Sequence, residues 1–168
     1  MFNKKKSAEK PASSPFPMQV LTTEYLIEGT AGGDQQYYLP TGTEYWSPLV
    51  LTAAKITAVG AENIPARTAD RFEVKGDAMV AMIARRDPTG MLQFGSFLHY
   101  KNALKGTFYV GPYLMDGTLM APGSDRFERA LLILDATIRH ASPKSKFGEI
   151  SAPHVLVNTR WLHGREVK

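Results

Sequence analysis

The stretch EYLIEGT, Glu24 to Thr30, returns 88 positions later as PYLMDGT, Pro112 to Thr118. Two further blocks return in the same order. PLVLTAAKITAV, Pro48 to Val59, is matched by ALLILDATIRHA, Ala130 to Ala141, with Leu49 on Leu131, Leu51 on Ile133, Ala54 on Ala136 and Ile56 on Ile138. FEVKGDAMVAMIARRD, Phe72 to Asp87, is answered loosely by ISAPHVLVNTRWLHGRE, Ile150 to Glu166. Blocks in fixed order, with length changes confined to the segments between them, mark one structural unit written twice. Each block is rich in β-branched, aromatic and aliphatic residues that alternate with polar ones, and none opens on a helix cap. The unit therefore reads as β, and a kink at Gly76-Asp77 divides two strands of the third block.

Both copies place a glycine after an acid. Glu28-Gly29 and Asp116-Gly117 read as structural turns, because glycine reaches positive φ freely and an acidic side chain bonds a turn backbone. The segment QQYYLPTGTEYWSP reads as an irregular packed loop, and its Tyr45 and Trp46 are candidates for peptide contact. Residues 1–17, MFNKKKSAEKPASSPFP, predict a disordered basic tail, too poor in apolar residues to offset the cost of ordering. The first β repeat is expected over 18–88, a connecting segment over 89–106 and the second repeat over 107–168. No apolar run is long enough for a helical membrane span, and no apolar core follows the basic start, so a cytoplasmic protein is expected. Absence of cysteine excludes disulfides and thiolate chemistry.

Charge divides along the chain. The net +4 resolves into +3 for residues 1–17, −3 for 18–100 and +4 for 101–168. The basic second half, with Arg126, Arg129, Arg139, Lys144, Lys146, Arg160 and Trp161, offers candidate nucleic-acid or ligand contacts, since cations hold phosphate and aromatic rings stack on bases. The four histidines, His99, His140, His154 and His163, show no metal-ligand spacing. No nucleophile elbow and no phosphate-binding glycine loop is present. RTADR, Arg67 to Arg71, has the two-arginine spacing of a cyclic-dinucleotide-binding PilZ domain. DPTGML, at Asp87, lacks that family's final glycine.

VLTTEYLIEGT followed by WSPLVLTAAKI resembles an uncharacterised bacterial domain family of small Sm-like or SH3-like barrels. YLMDGTLMAP followed by LLILDATI resembles a divergent second member. The resemblance implies an all-β chain: two SH3/Sm-like small barrels in tandem, or one pseudo-twofold barrel built from the duplicated unit. It implies no catalytic residue and no cofactor. The expected role is a non-catalytic binding or assembly module acting through barrel loops or a sheet edge, with a protein partner or self-association. The alternatives are nucleic-acid binding through the basic second repeat and Lys-rich tail, and an enzyme with a site between the repeats.

Overall fold

The computed structural model describes residues 15–32, 46, 48–60, 62–84, 102–121 and 130–167. Every regular element among them is a strand or a 3-10 turn. The first unit runs β1 (Phe16–Leu21), β2 (Tyr25–Ala31), β3 (Leu49–Ala58), β4 (Arg67–Val74), a 3-10 turn at Gly76–Ala78 and β5 (Ala81–Ala84). The second runs β6 (Asn102–Val110), β7 (Tyr113–Ala121), β8 (Ala130–His140), β9 (Ile150–Asn158), a 3-10 turn at Thr159–Trp161 and β10 (Leu162–Val167). The 3-10 turn falls at the kink that Gly76-Asp77 signals. Phe16 and Pro17 open β1 instead of closing a tail, and residues 102–106 belong to β6 instead of a connector. The rest of the expected tail (residues 1–14) and of the expected connector lies largely outside the described residues.

All ten strands form one antiparallel sheet in the order β10-β6-β7-β8-β9-β5-β1-β2-β3-β4. Each unit contributes its last strand, then its first four in sequence, and the two series are joined where β5 pairs with β9. The sheet is open. Among the described residues β4 and β10 share no pairing, so the ten strands do not close into a single barrel.

The two units repeat one another in detail. Gln19 stands opposite Glu28 in the β1–β2 pair, and Thr107 opposite Asp116 in the β6–β7 pair. Gln19 Nε2 donates to Glu28 Oε1 at 2.7 Å, and Thr107 Oγ1 donates to Asp116 Oδ1 at 2.5 Å. A register shift follows each acid, between Glu28 and Thr30 and between Asp116 and Thr118. Opposite those shifts sit Ala53 and Asp135, both at φ 48° and, among the described residues, the two non-glycine residues with positive φ. The extra residue of each bulge is accommodated in the left-handed region, where it sharpens the local bend.

These bulges correct the sequence reading of the glycines. Gly29 and Gly117 lie inside β2 and β7, not at turns. A Cβ on Gly29 would stand 2.9 Å from Leu51 Cβ and 3.1 Å from the Thr52 carbonyl oxygen. On Gly117 it would stand 2.7 Å from Ile133 Cγ2 and 2.8 Å from the Leu134 oxygen. Glycine is needed because the neighbouring backbone crosses closely, which is another established use of the residue in a strand.

Among the described residues two apolar clusters form the core. One gathers Met18, Val20, Ile27, Leu49, Leu51 and Val74 from the first unit, but also Ala130, Leu132 and Leu156 from the second. The other gathers Phe108, Val110, Tyr113, Met115, Ile133 and Ile138 with Leu21, Val59, Val80, Ala81 and Ile83 of the first unit. At the joint both sheet faces are therefore dry. Ala81, Met82 and Ile83 face Val157, Leu156 and Val155, and all six are buried. This is why AMIA and VLV read as unbroken apolar runs, as strands covered on both faces do.

Candidate functional site

The residues that sequence singled out are scattered over the fold. Arg139, on β8, gives its guanidinium to Asp116 at 2.5 Å, so this cation is already paired. Lys144 and Lys146 occupy the segment between β8 and β9, where Lys146 Nζ donates to Asn63 Oδ1 at 2.9 Å. Arg160 is exposed in the second 3-10 turn, and Trp161 beside it is half-buried against the second cluster. Arg126, Arg129 and Tyr45 lie outside the described residues. Trp46 is buried in the first cluster, with its carbonyl against the α-carbon side of Gly76, where a Cβ would stand 1.7 Å from that oxygen. It is a core residue, not a surface for a peptide. Arg67 and Arg71 are exposed on β4, one of the two outer strands of the described sheet.

The joint between the units shows how this chain makes a strand-to-strand junction. Beyond the β5–β9 ladder, Tyr113 Oη donates to the Thr22 carbonyl at 2.7 Å from a wholly buried position. Burial pushes its phenol pKa up. Asn158 Nδ2 donates to the Met79 carbonyl at 2.9 Å, and Ser145 Oγ donates to the Val59 carbonyl. Phe147 stacks edge-on against Tyr113 with ring centres 5.3 Å apart. Aromatic burial and hydrogen bonds from side chains to backbone carbonyls together tie the two units across a dry junction.

The sheet ends outside this junction are different in character. β4 and β10 are each paired on one side only among the described residues. A strand in that position presents a row of backbone donors and acceptors ready for another chain. β4 carries exposed Arg67, Asp70, Arg71 and Glu73, with Phe72 half-buried and Val74 buried over the first cluster. β10 carries exposed Gly164, Arg165 and Glu166, and the Glu166 carboxylate accepts the Tyr109 hydroxyl. That bond raises the Tyr109 pKa. Sequence did not flag Glu73, Arg165 or Tyr109. Edge status depends on which strands pair, a long-range property, and no local pattern marks it.

Among the described residues no group of three or more His, Asp or Glu could hold a metal ion, and no helix is long and apolar enough to cross a membrane. The chain matches no known family model, no curated protein and no solved structure to which it was compared.

Proposed function

We propose that this chain is a non-catalytic assembly module, two SH3/Sm-like small barrels in tandem, that engages a protein partner by adding strands at its open sheet edges. One observation carries the reading. The same two kinds of edge that are left open at β4 and β10 are joined inside the chain at β9 and β5. A backbone ladder supplies affinity in such strand addition, and side chains that alternate along it supply choice of partner. Charge on both outer strands fits a regulated contact, because charged edges resist indiscriminate pairing.

Cross-linking mass spectrometry on the full chain in extract of its native cell tests this. Protein cross-links concentrated at residues 67–75 and 162–167 are the expected result. Cross-links confined to other surfaces would overturn it. So would salt-sensitive recovery of RNA that is lost when Arg126, Arg129 and Arg139 are changed to Glu, since that places the activity on the basic second half.

A further inference from the structure

We infer that the partner for the open edges is a second copy of this chain, docked head to tail, with β4 of one molecule pairing antiparallel to β10 of the next. The inference rests on the assembly reading and names its partner. The internal junction is the template. β4 occupies in the first unit the place that β9 occupies in the second, and β10 the place that β5 occupies in the first.

Register follows from the pairs already present. Leu51 stands opposite Phe72 and Ile133 opposite Val155, so Phe72, Glu73 and Val74 correspond to Val155, Leu156 and Val157. Gln19 stands opposite Ile83 and Thr107 opposite Glu166, so Ala81, Met82 and Ile83 correspond to Gly164, Arg165 and Glu166. Within the chain Met82 pairs with Leu156. Carried to the open edges, the same register sets Arg165 opposite Glu73. Directly opposed unlike charges favour a strand pair, and like charges oppose it. Arg71 and Lys75 flank Glu73 two residues away and would stand diagonally from Arg165, farther off than Glu73. A β10–β10 contact centred on Arg165 would place like charges together.

Exposed apolar side chains point to the same docking. Among the described residues three large hydrophobics are exposed: Tyr25 at 36%, Ile64 at 44% and Tyr109 at 37%. Each has a counterpart that is covered at the internal junction. Tyr25 corresponds to Tyr113 and Tyr109 to Leu21, and both counterparts are fully buried. Counted back from β4 and β9, Ile64 corresponds to Phe147, which packs on Tyr113. Ile64 precedes β4 in the chain and Tyr25 lies on β2 opposite Ala58, at the end of β3 that leads towards β4, whereas Tyr109 adjoins β10. Tyr113 donates its hydroxyl to the Thr22 carbonyl, and the equivalent bond between molecules runs from Tyr25 to the Val110 carbonyl. Unlike edges meet, so each added copy leaves one edge of each kind open until the assembly closes; the rotation per step decides between a closed ring and an open filament.

The chain has no cysteine, so a pair of introduced thiols reads the contact without background. Opposed strand residues have α-carbons about 4.5–5.5 Å apart, within disulfide reach. Oxidising a mixture of a Glu73→Cys chain and an Arg165→Cys chain is expected to give a covalent dimer containing one of each. Separately, analytical ultracentrifugation is expected to show reversible multimers of the unmodified chain. Glu73→Arg or Arg165→Glu should each weaken assembly about 5- to 30-fold. An equimolar mixture of those two variants should regain it, because every junction can then match unlike charges. Circular dichroism melts matching the unmodified chain verify that the variants fold. A chain that stays monomeric at its solubility limit, or thiol variants that cross-link only to their own kind, would overturn the inference. If a monomeric chain still gains hydrogen-exchange protection at β4 or β10 on binding another protein, the self-partner fails while the assembly reading stands. With neither edge engaged by any protein, both fall.

Discussion

Replacing Gly117 by Ala tests the close backbone crossing between β7 and β8. The added methyl would stand 2.8 Å from the Leu134 carbonyl oxygen and 2.7 Å from Ile133 Cγ2, where ordinary contact begins at 3.4 Å. Neither neighbour yields easily. The oxygen belongs to the ladder, and the methyl belongs to a β-branched side chain stiff at χ1. The strands must separate by several tenths of an ångström, an overpacking strain of about 1–3 kcal/mol. Loss of unfolded-chain freedom on going from Gly to Ala offsets about 0.4–1 kcal/mol of this. The net loss of about 1–2 kcal/mol lowers Tm by about 2–8 °C for a chain of this size. Gly29→Ala should fall less far, since its nearest carbonyl oxygen is 3.1 Å away. Gly148→Ala is the control, because a Cβ there meets nothing within 4 Å. Thermal melts by circular dichroism read all three. A Gly117→Ala chain that melts at or above the unmodified temperature, or no lower than Gly148→Ala, would refute the crowding argument.

Ala53→Asn should stabilise the chain by about 0.5–1 kcal/mol, because Ala53 sits at φ 48° and Asn tolerates the left-handed region better than Ala; urea titration checks it, and a lower midpoint contradicts it. Tyr113→Phe removes the hydroxyl bond to Thr22 and should cost about 0.5–1.5 kcal/mol at neutral pH. Burial raises the Tyr113 pKa, so its folded-state advantage is complete below the ordinary tyrosine value near 10 and is lost as pH climbs beyond it. The Phe variant should therefore show a shallower alkaline fall in Tm than the unmodified chain. Leu132→Ala and Leu156→Ala should each cost about 2–5 kcal/mol and lower a single calorimetric transition, because both leucines complete the first unit's core. Two separable transitions would contradict that.

Much of the fold was legible because repetition is visible without pairing information. The Tyr-Leu block of β2 and β7 and the apolar block of β3 and β8 gave the strand type and a shared order of elements. β1 and β6 carry no shared motif of their own, since Gln19 and Thr107 share a role without sharing a residue type. Gly29 and Gly117 misled because an acid followed by glycine is also a turn former. Only the approach of β3 and β8 from distant sequence separates the two uses. Trp46 misled in the opposite way: the loop around it read as packed yet offered the ring for peptide contact, whereas the residue is buried in the first cluster with its backbone carbonyl against Gly76. The edge residues Glu73 and Arg165 carried no signal, being ordinary charges until the order of ten strands is known.

The exchange of leucines between the units sets a timetable for synthesis. Domains emerging from the ribosome generally fold in turn, the leading one first. Here the leading half is expected to wait, because Leu132 and Leu156 belong to its interior and are made much later. Until they arrive, β5 has no β9 beside it and the apolar face of Met82 stays wet. Nascent chains are therefore expected to remain protease-sensitive well past Ala84 and to become resistant in one step, once β9 has cleared the exit tunnel.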